Sequence, residues 1–488
     1  MATSTSLSSP GIGSGLDVNA IVSGLLAVEQ RPVQLLQKAE AKLQAKLSGF
    51  GQIQSLASAL NDALATLSKP ETFKQTIASS SDSSAVFVSS STTATAGSYS
   101  VSVSKLAAAQ TLVSPTGQFT TATDVVGTGT LTIRLGDWNN VTPPTQPSVF
   151  TPKSGSSDVV IAIDSGSETL QGVRDKINAA NAGVTASIVT DASGARLSVR
   201  SNSTGETNGF RINVAETGAA GLARLQYDPE TIVAPGAPTL TYAQAASNTE
   251  GTINGIAVSS TSDSLADAIQ GVSFRFNKIT TSPVTVSVNT NLEAIKAAVN
   301  KLVSTYNDFS SVVGQQTGYN AGTKQAGLFQ GDATAVGLLS QVRSYISQSS
   351  TASSTFGSLS SMGIELQKDG SLKVNSTKLD AALTNLPEMS KAFSDAGTGG
   401  NNIGLAKRFG TYTAGLLAAT GTFQSQTKSL QASIAANTKD QQRVNDRLAL
   451  TEQRLRAQYS ALDVTMSKYN ALNKYVTQQF STNNNNNS

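Results

Sequence analysis

Cysteine and histidine are both absent from the 488-residue chain. Without cysteine there is no disulfide, no thiol nucleophile and no thiolate metal site. Without histidine the commonest general base near neutral pH is missing, and with it the Ser-His-Asp arrangement. Charge is scarce as well. Asp, Glu, Lys and Arg make up 14% of the residues, against about a quarter in an ordinary globular chain. The 35 basic and 32 acidic residues leave a net charge of +3, so no strong field favours nucleic acid, and no basic groove with interleaved aromatics is present. No apolar run reaches the roughly 18 residues of a spanning helix, so membrane insertion is not expected. Met1 to Ser9 are Ser/Thr-rich and uncharged, unlike a secretory signal peptide, so export would need another route.

Ser, Thr, Ala, Asn and Gly fill the space that charge leaves, and the surface is solvated by hydroxyls and amides. The length sets a prior of roughly three or four domains. The ordering signal is strongest at the two ends. From about Phe423 to Phe480, apolar residues recur at gaps of three and four: Val444, Leu448, Leu455, Leu462, Tyr469, Leu472 and Val476, with Thr451 and Gln458 completing the seam. That heptad rhythm belongs to a coiled-coil strand and needs a partner. The best candidate is at the other end of the chain. Asp17 is placed to cap a helix carrying Val18, Ile21, Val22, Leu25 and Val28. Arg31-Pro32 interrupts the pattern, and it restarts with Leu36, Leu43, Leu47, Phe50, Ile53, Leu60, Leu64 and Leu67 until Lys69-Pro70 ends it. Gly11, Gly13 and Gly15 evoke a phosphate loop only superficially, because no strand precedes them and no Lys-Ser/Thr follows; a mobile arm is the plainer expectation.

From about Ile77 the period changes to two. Val86 and Val88 flank Phe87, and Tyr99, Val101 and Val103 alternate with serines, as do Leu131, Ile133 and Leu135 with polar residues; half-buried antiparallel strands follow. The Pro-rich stretch Thr142 to Pro152 reads as a loop or an edge. Next comes a strand at Val159 to Ile163, a helix at Ser167 to Ala180, a strand at Val184 to Val189, a turn at Asp191 to Gly194 and a strand at Arg196 to Val199. Gly251 to Phe276 echoes this unit, with Ser264 to Ile269 as its short helix, giving a diverged strand–helix–strand repeat.

At Thr290 the period returns to the helical one. Thr290 and Glu293 have capping-box spacing, followed by Leu292, Ile295, Val299, Leu302, Tyr306, Phe309 and Val313. Asp332 caps a helix with Val336, Leu339, Val342 and Ile346; Asp369-Gly370 turns a hairpin; Leu379, Leu383 and Leu386 form a helix that stops near Pro387. Gly410, Gly415 and Gly421 loosen the helical stretch that follows, and the tail Asn483 to Asn487 is of low complexity and expected to be disordered. The fold class is therefore α+β multidomain: long terminal helices form a coiled-coil or bundle leg, and β-rich head domains are inserted between them. The expected divisions are 1–46 with 440–488 as terminal coiled coil, 47–76 with 290–439 as helical bundle carrying a small hairpin, 77–114 with 246–289 as a β-rich head, and 115–245 as a second β-rich head.

No constellation supports catalysis. Asp164, Glu168, Asp175 and Asp191 lie near one another in sequence but match no metal loop, and solvated carboxylates are the plainer reading. Trp138, the only tryptophan, fits either a loop tip or a small β core. Arg443, Arg447, Arg454 and Arg456 with Asp440, Asp446 and Glu452 read as the solvated flank of a coiled coil. No cofactor and no metal is expected.

The chain resembles the flagellar hook-associated protein 2 family, the filament cap proteins. The likeness runs in order along nearly the whole length, weakest over about 115–160 and 222–245. It is carried by Gly11 to Pro32 (GIGSGLDVNAIVSGLLAVEQRP), Thr169 to Ser187 (TLQGVRDKINAANAGVTAS), Ile253-Asn254-Gly255, Asp267 to Val272, Tyr306 to Phe309, Met362-Gly363-Ile364, Asp369-Gly370, Lys378 to Leu383, Leu455 to Asp463 and Gln479-Phe480. The Thr169 to Ser187 stretch is similar to a repeat shared by flagellin-related axial proteins. The resemblance implies a non-enzymatic protein forming a ring of its own copies at the distal filament tip. There it would hold back exported flagellin and help it fold and insert. It implies export by the flagellar type III apparatus, contacts with hook–filament junction proteins, and an export chaperone on the C-terminal region. It makes Leu25, Leu36, Leu43, Val444, Leu448, Leu455, Leu462, Tyr469 and Val476 the candidate filament- and subunit-contact residues. Much of the last helix would then stay unordered until it docks. Some family members adhere to surfaces, so a surface adhesin is one alternative; another axial protein of the hook–filament junction is the second.

Overall fold

The computed structural model describes residues 17–139, 149–230 and 239–485, with side chains to Gln479. The glycine arm before Asp17, the first part of the Pro-rich stretch, and Asn486 and Asn487 lie outside the described residues. The chain divides into two compact units, one formed by 1–73 with 293–488 and the other by 74–292.

The first unit opens with α1 (Val18–Glu29), where the Asp17 carboxylate accepts the Ala20 N–H at 2.9 Å. Gln30 keeps right-handed helical angles, so the chain passes almost without a break into α2 (Arg31–Leu67). Pro32 sits in the first turn of α2, where its missing N–H costs nothing. A short 3-10 turn, Pro70–Lys74, ends this helical lead.

The β-rich unit contains β1 (Thr76–Ser80), β2 (Val86–Ser90), β3 (Gly97–Lys105), β4 (Thr111–Val113), β5 (Gly129–Asn139), β6 (Val149–Pro152) and β7 (Val159–Ile163). It continues through α3 (Leu170–Ala179), β8 (Val184–Asp191), β9 (Gly194–Ser201), β10 (Gly209–Glu216), β11 (Thr241–Gln244), β12 (Thr249–Ile253), β13 (Ile256–Ser260), β14 (Ser264–Ile269), β15 (Val272–Phe276) and β16 (Val284–Thr290). Two cores form within it. In the first, a sheet ordered β1-β16-β3-β12-β13 packs with β14-β15-β2 over Val86, Val101, Phe274 and Val286. In the second, sheets β10-β5-β6, with β7 also on β5, and β11-β4-β9-β8 enclose Trp138, Phe150, Leu197 and Phe210 together with the apolar face of α3. The described end of the Pro-rich stretch is β6, which pairs with β5 and, among the described residues, with no other strand. Trp138 is buried, its indole N–H donating to the Phe210 carbonyl at 3.0 Å.

Two local expectations change here. Helix α3 starts at Leu170, because the Thr169 hydroxyl accepts the Gly172 N–H at 3.1 Å, while Ser167 instead donates to Asp164 at 2.7 Å. The second helix of the supposed repeat does not exist: Ser264–Ile269 is β14, paired with β15. Six residues make too short a helix to offset its nucleation. Gln270-Gly271, with Gly271 at φ +76°, offers a two-residue hairpin turn instead.

The chain then returns to the helical unit with α4 (Leu292–Thr317), β17 (Tyr319–Asn320), β18 (Gln325–Ala326), α5 (Ala333–Ser347), β19 (Ile364–Leu366), β20 (Leu372–Val374), α6 (Ser376–Leu383), α7 (Leu386–Ser394), α8 (Leu405–Leu417) and α9 (Thr422–Asn485). Its core joins Phe50, Leu60 and Leu64 of α2 to Ile295, Tyr306 and Phe309 of α4, Val342 of α5, Phe393 of α7, Phe409 of α8 and Phe423 of α9. Helix α4 also holds the β19–β20 hairpin: Tyr306 donates to the Gly370 carbonyl at 3.0 Å, and Asn307 clasps both backbone groups of Leu372. Thr290 is the last residue of β16, and α4 begins at Leu292, one residue later than a cap at Thr290 would start it. Val336 is exposed and Leu338 takes its place in the core. Pro387 does not end a helix; it sits in the first turn of α7. The tail, expected to be disordered, continues α9 as far as Asn485.

Candidate functional site

Helix α9 is 64 residues long, about 95 Å at 1.5 Å per residue. Neither Gly nor Pro occurs between Thr422 and Asn485, and good helix formers fill the stretch. The expectation that much of it stays unordered is therefore not met. Its first turns bury Phe423 and Leu430 in the core of the helical unit. Farther along it runs antiparallel to α2 and then α1. Gln441 donates to Glu40 at 2.5 Å, and Arg456 donates to Asn19 at 2.8 Å. At the far end of the pair a small separate core forms, with Val18, Val22 and Leu26 buried against Leu448, Leu455 and Tyr459. An isolated twelve-residue helix is marginal in water, so α1 depends on this seam, where each aliphatic side chain contributes about 2 kcal/mol on full burial.

The candidate contact residues separate into three groups. Leu448 and Leu455 are in the seam with α1, and Val444 is half-buried just before it. Leu36 is half-buried, and Leu43 packs against the main core of the helical unit, so Leu43 serves the fold itself. Leu25, Leu462, Tyr469 and Val476 are exposed. Leu25 is 44% exposed because Leu26, beside it, faces α9. Two residues of the seam escape the heptad reading, Leu26 and Tyr459. Leu26 follows Val18 and Val22 at steps of four, a stripe as regular as the one through Ile21, Leu25 and Val28. Tyr459 replaces Gln458 because a straight helix with 3.6 residues per turn drifts against a seven-residue repeat.

Beyond Tyr459 no apolar side chain of α9 belongs to a core among the described residues. Leu462, Val464, Met466, Tyr469, Leu472, Tyr475 and Val476 are all exposed there, Tyr469 at 65%. Five of them, Leu462, Met466, Tyr469, Leu472 and Val476, recur at steps of three and four on one face of a polar helix, which is the form of a surface that another helix covers. Its charged flank is local: Arg456 pairs with Glu452 at 2.8 Å and Arg443 with Asp440.

The carboxylates weighed as metal ligands do not converge. The Ser167 hydroxyl and then Lys176 hold Asp164 below the usual carboxylate range, and the Ser193 hydroxyl does the same for Asp191. Both are turn carboxylates closing their own loops, and Asp175 pairs with Arg174 at 2.6 Å. Among the described residues no group of three or more Asp or Glu side chains is placed to hold a metal, and no helix is long and apolar enough to cross a membrane.

Comparison with known proteins agrees with this architecture. The family model for the flagellar hook-associated protein 2 N-terminus matches residues 14–110, and that for its C-terminus matches 246–471. The flagellin hook IN motif matches 149–203, the stretch from β6 through α3 to β9. The flagellar hook-associated protein 2 of Escherichia coli (strain K12) is 29% identical, over 98% of this chain and 99% of that protein. The B-type flagellar hook-associated protein 2 of Pseudomonas aeruginosa is also 29% identical, over 96% of each chain. Among solved structures, the D1-D2-D3 domains of the flagellar cap protein FliD from Escherichia coli are similar, with a TM-score of 0.61 and 28% identity over 78% of this chain and 99% of that one. With both ends and more than half of its length matched by the two terminal models, the chain belongs to the flagellar hook-associated protein 2 family.

Proposed function

We propose that this chain caps the distal tip of the flagellar filament as a ring of its own copies, with a structural and not a catalytic role. In this reading it retains exported flagellin, promotes its folding and insertion, and is needed for filament growth. The observation that carries the reading, within this family, is the uncovered apolar stripe of α9 from Leu462 to Val476. A filament end built from helical subunits covers such a stripe, and the many small contacts along it can break and re-form as each subunit enters. The same stripe suits an export chaperone before assembly, and the flagellar type III apparatus and the hook–filament junction proteins complete the set of partners.

The test is a chain shortened at Tyr459. It keeps the α1 seam and every core described above, and loses the stripe. Cells carrying only this form should make no filament, with monomeric flagellin in the medium. Filaments of normal length would refute the reading. Loss of surface attachment by cells with normal filaments would favour the adhesin alternative instead.

A further inference from the structure

The five-stranded sheet β1-β16-β3-β12-β13 ends on one side at β13, beside which no strand lies among the described residues; just past it the Thr204 hydroxyl donates to the Thr261 carbonyl at 2.8 Å. Strand β13 pairs with β12 through a two-residue turn, Asn254-Gly255, with Ile253 opposite Ile256 as the closing pair. Both turn residues have positive φ, as this tight hairpin requires. Hydrogen bonding alternates along an antiparallel pair, so the backbone groups of Ile256, Val258 and Ser260 face β12 and those of Ala257 and Ser259 face outward. Among the described residues nothing pairs with those outward groups.

Natural sheet edges are usually blunted by Lys, Pro, a bulge or a covering segment. Strand β13 reads Ile-Ala-Val-Ser-Ser and has neither charge nor proline, and its pairing with β12 runs without a bulge. The opposite edge differs: the Thr76 hydroxyl of β1 donates to the Ser91 carbonyl beside β2 at 2.8 Å. The side chains of β13 leave room as well. On its outer face Ala257 and Ser259, with Gly251 and Ser102, line a shallow hollow of about 430 Å³. On its core-side face Val258 packs partly against the sandwich core, while Ile256 is 70% exposed. An apolar row is thus left half covered beside an unpaired ladder.

We propose that this edge pairs with the β13 edge of a second copy of the chain, antiparallel about a twofold axis at Val258. The strand is its own complement. With Val258 opposite its symmetry mate, Ala257 falls opposite Ser259 of the other copy and all the outward N–H and C=O groups are joined. Ile256 falls opposite Ser260 and covers the second copy's Val258 from the side. No like charges meet, since β13 carries none and the nearby Lys105 and Glu250 neutralise each other at 3.5 Å. The contact is isologous and closes at two copies, so it does not propagate the ring; it hides an aggregation-prone edge in the unassembled chain. Five residues a side place it with small, transient interfaces, so the dimer depends on concentration. This inference goes beyond the filament-cap reading and does not rest on it.

The absence of cysteine makes the test direct. A directly opposite pair that is not hydrogen-bonded brings its Cα atoms to about 4.5 Å, within disulfide reach. Full-length chain carrying Val258→Cys should form a covalent dimer under mild oxidation at least about tenfold faster than chain carrying Thr285→Cys, an exposed position on β16 that the pairing does not approach. Adding Ala257→Pro removes one outward N–H without touching the β12 ladder, and should abolish the cross-link while circular dichroism stays unchanged. Equal rates for the two cysteine variants, or cross-linking that Ala257→Pro leaves intact, would overturn the proposal. So would a Val258→Cys thiol that added unfolded flagellin shields from labelling without any self-linked dimer, which would assign the edge to that partner.

Discussion

At the residue scale, neighbours in the sequence have opposite roles. Leu25 and Leu26 differ by one position and by 100° around α1, and only Leu26 meets Leu448, Leu455 and Tyr459. Leu26→Ala should open α1 from α9 at a cost of about 2–3 kcal/mol, seen as new protease cleavage near Gln30. Leu25→Ala should stay within about 0.5 kcal/mol of the parent. Equal cleavage of the two variants would contradict this assignment. A second residue-scale case is Glu388. Its carboxylate accepts from Lys391 and the Ser353 hydroxyl, both at 2.8 Å, and from the Ser354 backbone and hydroxyl. The Lys391 ammonium first, then these donors, hold its pKa down to about 2 from 4.5. The ionised form is thus favoured in the fold, and its contribution is full above about pH 4.5 and is lost as the pH falls towards 2. Glu388→Gln should therefore melt lower than the parent at neutral pH, with the gap closing across that window. A gap that persists unchanged to pH 2 would mean that the charge is not the cause.

At the element scale, α9 is one helix in three environments: buried at Phe423 and Leu430, seamed from Leu448 to Tyr459, and with its large apolar side chains exposed from Leu462 to Val476. Its sequence keeps the same rhythm throughout, so the pattern predicts the stripe and not what meets it. Truncation after Tyr459 should leave the melting temperature of both units within a degree or two of the parent, since no described contact to a core is lost. A drop of about 5 °C or more would place these residues in the fold of the chain itself. The elements that sequence reading missed have a common cause. Ser264–Ile269 carries a helical-looking Leu and Ile, yet the adjacent β15 offers it a ladder across a glycine turn. Pro387 is compatible with stopping one helix or starting the next, and only the packing of Met389 and Phe393 selects the second.

At the scale of the whole molecule, the two units give separate spectroscopic signals. Trp138 is the only tryptophan and is buried in the β-rich unit, while the long helices belong to the other. Phe210 is fully buried beside it. Phe210→Ala should destabilise that core by about 3–5 kcal/mol, moving the fluorescence transition to lower denaturant while the helical ellipticity transition holds. If both move together, the units unfold as one.

The sequence by itself determined the periodicities: a C-terminal heptad, apolar helical stripes at the N-terminal end, a middle of period two, and the absence of any cysteine or histidine on which catalysis or metal binding is usually built. These are local properties, set by which side chains repeat on one face. The family likeness was legible for the same reason, because its motifs lie in order along the chain. Tertiary structure alone decided which of two equally regular stripes on α1 is buried, where the seam on α9 shifts to Tyr459, and where it runs out of partner. It also decided that β13 stands at an edge. Each depends on what lies opposite in space, hundreds of residues away along the chain, and burial against a distant neighbour leaves no periodicity of its own in the sequence.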